Sequence, residues 1–183
     1  MFNSLFDGAP VDIMQMLDAR ERRAHTQEQL LEQLNPCVLV SITLNIPGPV
    51  KNSEAITTVF ASVISELDEA LLPFEKLHQE DFSLPTGMEF YRVLRADALD
   101  VKRACTEFEE GRSLGRLLDI DVVEMAEETP TPISRTTLAM PPRRCFICNE
   151  EAKVCARSRK HTVLEMQEHI ARMIAIYTSI QRP

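Results

Sequence analysis

The sequence lacks the features that would place the protein in a membrane or outside the cell. No apolar run approaches the roughly 18 residues of a membrane span. The N-terminal segment MFNSLFDGAPVDIMQ has no cationic region and carries Asp7 and Asp12 where a signal peptide is apolar. The five cysteines are odd in number and three fall within residues 145–155, whereas a disulfide framework is even-numbered and dispersed. We therefore expect a reduced, cytoplasmic protein with no membrane partner.

The chain also lacks the excess of basic residues that binding to nucleic acid requires. Its formal net charge is −8, and a broad basic surface is what releases counterions from a phosphate backbone. The span 135–160 is an exception, with seven basic and two acidic side chains and a net charge of +5, against −13 for the remainder. A compact cationic patch suits an anionic small molecule or an acidic partner, so we expect no nucleic-acid partner.

No internal repeat or low-complexity tract divides the 183 residues. That length suits one domain, 1–183, with enough material for a hydrophobic core. The contents of 44% hydrophobic and 26% charged residues are ordinary for globular proteins. We expect residues 1–10 to form a flexible N-terminus.

Apolar periodicity and capping residues predict helices and strands that alternate along the chain. The helical segments are 11–34 (one long helix or two short ones), a helix capped by Asn52 or Ser53 that runs to about residue 72, 97–110, a short helix capped by Asn149, and a C-terminal helix opened by a capping box at Thr162. The strand segments are 37–46, apolar enough to be buried on both faces, 88–96, 117–123 and 133–140. Residues 73–87 are expected to be a loop. The alternation predicts an α/β or α+β domain whose mixed sheet is flanked by helices.

The stretch Gly115–Val123 carries the most informative pattern. Side chains alternate faces along a strand, so Asp119 and Asp121 point to one side while their apolar neighbours pack on the other. Two carboxylates about 7 Å apart along a strand can converge on Mg²⁺, which completes its shell with water and substrate phosphate. That arrangement is typical of phosphoryl transfer. The alternative is a solvated strand edge, because Asp-x-Asp is a common sequence.

The segment that follows contains a cysteine cluster. Its spacing, Cys-x2-Cys-x6-Cys-x5-His, is compatible with a structural zinc site. The alternative is a set of free thiols packed where a loop meets a helix, since a second Cys-x2-Cys pair is missing. The residues concerned are Cys145, Cys148, Cys155 and His161.

Basic side chains near these cysteines are candidates for phosphate binding. Arginine forks bind phosphate with pairs of hydrogen bonds, and a helix N-terminus near Asn149 would add to the attraction. Lys51 is a similar candidate in a Pro-Gly-Pro-Val-Lys turn, although this turn lacks the glycine pattern of a P-loop. The alternative for each side chain is a solvated surface. The arginines are Arg143, Arg144, Arg157 and Arg159.

Taken together, these segments resemble the holo-citrate lyase synthase family, also called apo-citrate lyase phosphoribosyl-dephospho-CoA transferase. The resemblance runs in order from about Arg20 to about His169, and its motifs are highly specific in combination. It departs from the family at Arg112-Ser113, where a histidine–proline pair is expected, so position 112 receives no role. The matching segments are 48–53, 115–122, 142–148 and 154–157, with His161.

The resemblance implies a nucleotidyltransferase-like enzyme with a single catalytic domain. The family transfers phosphoribosyl-dephospho-CoA from 2′-(5″-triphosphoribosyl)-3′-dephospho-CoA to a serine of the acyl carrier (gamma) subunit of citrate lyase, and it releases diphosphate. Asp119 and Asp121 match the acidic motif that is expected to hold Mg²⁺. Arg116 matches the arginine of that motif, and Lys51 and Ser53 match the Gly-Pro turn.

The sequence is also compatible with two other functions and with a further acidic residue in the site. A related synthase serves malonate decarboxylase with the same chemistry, although the cysteine cluster favours citrate lyase. A different class of function is a zinc-ribbon-like binding module without catalysis. A third carboxylate, Glu107 or Glu109, is a candidate to join the acidic pair.

Overall fold

Helices and strands alternate through most of the chain, and a computed structural model describes residues 5–181. Two short 3₁₀ turns, Gly115–Leu117 and Arg135–Leu138, interrupt the order. The helices are α1 (Ile13–Leu34), α2 (Glu54–Ala70), α3 (Ala98–Gly111), α4 (Ala152–Ser158) and α5 (Val163–Ile180). The strands are β1 (Val38–Leu44), β2 (Glu75–Leu84), β3 (Gly87–Arg95), β4 (Leu118–Ala126) and β5 (Thr129–Pro132).

The five described strands form one sheet in the order β2-β3-β1-β4-β5. The mixed sheet expected from the sequence is antiparallel at each of its four pairings, so α+β is the class that applies. β1 occupies the centre, and its first five residues are buried, as its continuous apolar character predicts.

The two faces of the sheet are covered differently. One face packs against α2, α3 and α5 in the main core, where Phe60, Ile120 and Ile170 are almost fully buried. On the other face α1 buries Leu30 and Leu31 against Leu39 and its neighbours on β3 and β4. That second cluster covers one end of the sheet, and polar side chains occupy the other end of the same face.

Several helix and strand predictions are confirmed. The segment 11–34 forms one helix, and the strands predicted at 37–46, 88–96 and 117–123 correspond to β1, β3 and β4. The expected caps are present: Ser53 begins α2, Asp97 begins α3, and Thr162 forms a capping box with Glu165.

Three local predictions are wrong. Residues 73–87 contain β2, an outer strand whose many polar side chains hid its strand pattern. The strand predicted at 133–140 is a 3₁₀ turn, and the preceding Thr-Pro-Thr-Pro segment is the strand β5. Proline is tolerated there because β5 is an edge strand. Asn149 caps no helix, since α4 begins after Glu151 and Asn149 has a left-handed backbone with φ of 59°.

The start of the chain contacts the core. Residues 1–4 of the expected N-terminal segment lie outside the described residues. Leu5 is buried, and its carbonyl oxygen accepts a hydrogen bond from the Ser53 hydroxyl at 2.7 Å. Within residues 5–181, no helix is both long enough and apolar enough to cross a membrane.

We expect Asp97→Ala to lower the free energy of unfolding by about 1 kcal/mol. The Asp97 carboxylate accepts from the backbone N–H groups of Leu99 and Asp100 at 2.9 and 3.1 Å, and alanine leaves both donors without this acceptor. Asp97→Asn retains an acceptor and is the matched control, with most of the stability kept. Urea denaturation measures both variants, and equal losses in the two would contradict the capping role.

Candidate active site at the open edge of the sheet

Asp119 and Asp121 project from one face of β4, as strand alternation predicts. Both side chains are exposed, while Leu118, Ile120 and Val122 are buried in the main core. In the strand register, Asp119 lies opposite Thr43 and Asp121 opposite Ser41 on the central strand. The pair therefore occupies the polar end of the face that α1 covers only in part.

The outer edge of β4 is open beside these carboxylates. β5 pairs only with residues 123–126, so residues 118–122 have no strand on that side. Side chains supply the missing partners: Lys102 donates to the Ile120 carbonyl at 3.1 Å, Glu109 accepts from the Ile120 N–H at 3.4 Å, and Arg143 donates to the Leu118 carbonyl. A buried backbone group needs a hydrogen-bond partner, and at the open edge ionisable side chains are those partners.

A cavity of about 560 Å³ lies along this edge. Glu109 is buried there and forms an ion pair with Arg135 at 2.6 Å. The charged side chains that line the cavity include Asp119, Asp121, Lys102, Glu109, Arg135 and Arg143. The site therefore brings carboxylates and cations together around a space that a substrate group can enter.

The two carboxylates differ in their partners. Asp119 accepts a hydrogen bond from Arg143 at 3.1 Å, whereas no donor within residues 5–181 bonds to Asp121. Desolvation raises the pKa of Asp121, the neighbouring Asp119 raises it further, and Lys102 and Arg143 oppose the shift. The pair thus carries negative charge that the protein compensates only in part.

This donor set fits a divalent cation. Mg²⁺ binds to one or two protein carboxylates and leaves coordination positions for water and phosphate oxygens. The Asp121 carboxylate, which has no hydrogen-bond donor within residues 5–181, would gain a partner on metal binding. Asp119 and Asp121 are the residues that would hold the ion.

Arg143 is the arginine of the basic segment that reaches the acidic pair. Its guanidinium donates to Asp119, to the Leu118 carbonyl and to the Arg116 carbonyl, the last at 2.8 Å. Arg116 in turn donates to the Arg144 carbonyl, which ties the two segments together. The Arg144 and Arg157 side chains are exposed and do not line the cavity.

Lys51 and Ser53 lie in the loop between β1 and α2, and Ser53 directly precedes α2. The Lys51 ammonium donates to the Ile46 carbonyl at 2.8 Å, and desolvation lowers its pKa. Lys51 lines a smaller cavity of about 110 Å³ together with Thr43, the residue that pairs with Asp119. The Ser53 hydroxyl accepts from the Ile56 N–H at 3.1 Å and donates to Leu5, so it is engaged in helix capping.

Two consecutive arginines of α1 contact a buried acid. Glu89 is 2% exposed on β3, and it accepts hydrogen bonds from Arg22 at 2.9 Å and Arg23 at 3.3 Å. Tyr91 donates to the same carboxylate at 3.1 Å. Arg23 and Glu89 line the small cavity beside Lys51. A glutamate inside a largely apolar strand was the available signal, because a buried carboxylate requires a partner.

Lys102, Glu109 and Arg135 also belong to the site. Of these, Glu109 was a candidate from the sequence, and its alternative Glu107 is exposed on α3 away from the cavity lining. No local motif marks Lys102 or Arg135, since each meets β4 only through the folding of distant segments.

The cysteine cluster is assembled beside this site. The ligand atoms of Cys145, Cys148, Cys155 and His161 all lie within 4.8 Å of one another. A group of three sulfurs and one imidazole at this separation can hold a metal ion.

We expect Asp121→Asn to raise the free energy of unfolding at neutral pH when divalent cations are absent. The folded state raises the pKa of Asp121, so ionisation of this group is unfavourable to folding above that pKa. The difference from wild type should shrink as the pH falls towards the ordinary value of 3.8, where both states hold the proton. Asp100→Asn, which removes an exposed carboxylate paired with Arg103, is the control and should give no such gain. Urea titrations across this pH range measure the effect, and a destabilised Asp121→Asn protein would contradict it.

Comparison with known proteins places the chain in one family. Residues 11–177 match the family model described as apo-citrate lyase phosphoribosyl-dephospho-CoA transferase. A Streptococcus pyogenes serotype M18 protein named "probable apo-citrate lyase phosphoribosyl-dephospho-CoA transferase" is 41% identical over 172 residues, which cover 94% of this chain and 90% of that protein.

Two other relatives are more distant. The Shigella boydii serotype 18 apo-citrate lyase phosphoribosyl-dephospho-CoA transferase is 35% identical over 85% of this chain and 84% of its own length. The Leuconostoc mesenteroides protein CitXG is 33% identical over 91% of this chain, which corresponds to 36% of that longer protein. These matches show that the chain, with its acidic pair on the open edge of β4, belongs to the apo-citrate lyase phosphoribosyl-dephospho-CoA transferase family.

Proposed function

We propose that the protein transfers phosphoribosyl-dephospho-CoA from 2′-(5″-triphosphoribosyl)-3′-dephospho-CoA to a serine of the acyl carrier (gamma) subunit of citrate lyase. The serine oxygen bonds to the α-phosphorus of the donor, the bond to the diphosphate breaks, and the serine proton is released. The observation that supports this reaction best is the Asp119–Asp121 pair, which faces a cavity lined with cations in a chain of this family. The five cysteines form no disulfide bond, which is consistent with a cytoplasmic location.

Magnesium is part of the proposal. When bound at Asp119 and Asp121, Mg²⁺ supplies positive charge to the phosphate oxygens and helps to align the reacting groups. The residues of the chain provide the rest of the electrostatic environment. Lys102, Arg135 and Arg143 surround the cavity, so a polyphosphate that enters it meets fixed cations on the side of the open edge.

Arg143 is the residue best placed to bind the departing diphosphate. Its side chain is 24% exposed, and its three hydrogen bonds to β4 and to the 3₁₀ turn before it fix the guanidinium beside Asp119. A guanidinium held in advance loses little freedom when phosphate binds. Lys51 and Arg23 form a second cationic group beyond Thr43, and that group suits another part of the long donor.

Arg144 and Arg157 suit a different task. Both side chains are exposed outside the cavity lining, in the segment with a net charge of +5. Acyl carrier proteins are usually acidic, so these exposed arginines fit a docking surface for the carrier better than the donor site. Charge pairs at the rim of an interface act mainly on the rate of association.

We expect Asp119→Asn and Asp121→Asn each to lower the rate of transfer by roughly 10³-fold or more, the range in which charge-stabilising groups act in phosphoryl transfer. Each change removes a negative ligand for Mg²⁺ while keeping the shape of the side chain. The assay mixes protein, apo carrier, donor and Mg²⁺, and mass spectrometry detects the prosthetic group on the carrier.

Asp100→Asn on the exposed surface of α3 is the matched control and should retain full activity. Apo carrier of malonate decarboxylase in a parallel reaction tests the alternative substrate. An unmodified citrate lyase carrier with wild-type protein, under conditions where a known synthase succeeds, would reject the proposed function. Full activity of both aspartate variants would reject the role of the pair.

We expect Arg143→Ala to lower kcat/KM for the donor by about 10²-fold, because a preorganised cation beside the carboxylates is lost. Arg157→Ala is the matched control, since its side chain is exposed on α4 outside the cavity. Its effect on donor kcat/KM should stay within about twofold, with a larger change in KM for the carrier at low salt. Equal losses in donor kcat/KM for the two variants would contradict a specific role of Arg143 in binding the donor.

A further inference from the structure

The segment that carries Arg143 has little hydrophobic support. From residue 139 to residue 162, Cys155 is the one buried residue, and Phe146 is half-buried against the core. Ordering such a segment costs conformational entropy that so small a buried area does not offset. Some other interaction has to hold it.

The distances among the cysteine sulfurs match a tetrahedral site. The Cys145 and Cys155 sulfurs are 3.6 Å apart, and those of Cys148 and Cys155 are 3.9 Å apart. Zinc–sulfur bonds of about 2.3 Å at tetrahedral angles place two sulfurs about 3.8 Å apart. His161 completes the set, because its Nε2 atom is buried and has no hydrogen-bond partner within the described chain.

The backbone around the first two cysteines supports a bound metal. The Ile147 N–H donates to the Cys145 sulfur at 3.4 Å. Left-handed residues at Asn149 and Arg159, with φ of 59° and 50°, turn the chain after Cys148 and before His161. Four ligands of this kind also fill a tetrahedral shell, as structural zinc sites do.

We propose that Cys145, Cys148, Cys155 and His161 bind one structural Zn²⁺, and that this ion holds Arg143 on the open edge of β4. The connection is direct, because the loop of residues 143–152, closed by an isolated β-bridge between Arg144 and Glu151, contains both Arg143 and the first two ligands. The Ala152 N–H donates to the Arg143 carbonyl at 2.8 Å, and the Cys145 N–H donates to the Glu150 carbonyl at 2.6 Å. The role of Arg143 in transfer rests on the proposed function, whereas the metal site does not.

Metal analysis of the full-length protein tests the site. Elemental analysis after dialysis should find about one zinc per chain, and Co²⁺ exchanged into the site should give the charge-transfer bands of a tetrahedral thiolate complex. Cys148→Ser and His161→Ala should retain about a tenth of the zinc or less. His161→Cys, which restores a fourth ligand, should bind zinc as wild type does. Cys37→Ser is the matched control, because Cys37 lies outside the cluster, and it should keep its zinc.

Limited proteolysis tests the positioning role without donor or carrier. Removing zinc should speed tryptic cleavage after Arg143 and Arg144 by about tenfold, which corresponds to ~1.4 kcal/mol of local opening. Cleavage after Arg20 in α1 is the internal control and should keep its rate. Wild-type protein that binds neither zinc nor Co²⁺ would overturn the site. Bound zinc without any change in cleavage after Arg143 would overturn the positioning role, and neither result depends on whether transfer occurs.

Discussion

An unpaired stretch of strand edge determines the arrangement of the candidate site. A strand inside a sheet satisfies its backbone with two neighbouring strands, but residues 118–122 of β4 pair with only one strand, β1. The protein closes the other side with Lys102, Glu109 and Arg143, which come from α3 and from the cysteine-containing segment. The side chains that satisfy the backbone hydrogen bonds of this edge are therefore the same side chains that concentrate charge at the site.

The same constraint explains why the carboxylates are accessible. Had β5 extended along the whole of β4, a backbone strand would occupy the place of the cavity beside Asp119 and Asp121. β5 is short and contains two prolines, which cannot donate hydrogen bonds to a further strand. Beyond it, the Ile133 N–H makes one last bond to the Val122 carbonyl at 2.7 Å, and the chain then leaves the sheet.

Sequence reasoning succeeded where the determining forces are local. Alternation placed Asp119 and Asp121 on one face, and side-chain caps located the starts of α2, α3 and α5. It failed at β2, because an edge strand with a polar exposed surface carries no apolar pattern. It also failed at residues 133–140, where β-branched and apolar residues suggested a strand, but Arg135–Leu138 form a 3₁₀ turn that the Ser134 side chain caps by accepting from the Thr137 N–H.

The residues of the site divide in the same way into those that the sequence predicts and those that only the fold reveals. Arg143 and the cysteine spacing were visible in the sequence, because each belongs to a compact segment. Lys102 and Arg135 were not, since their importance arises from bonds to β4 and to Glu109 that only the tertiary fold creates. Arg144 and Arg157 cannot be told from Arg143 in the sequence, whereas the fold exposes them and places Arg143 in the cavity lining beside Asp119.

The buried Glu89 has a consequence for how α1 tolerates change. Sliding the helix by one turn, about 5.4 Å, would carry Arg22 and Arg23 away from this carboxylate. A buried charge without a partner costs several kcal/mol, so the register of α1 is fixed by electrostatics as much as by shape. The exposed Ile13, Met14 and Leu17 contribute little to that register. The outer surface of α1 can therefore accept substitutions while two consecutive arginines keep the helix in place.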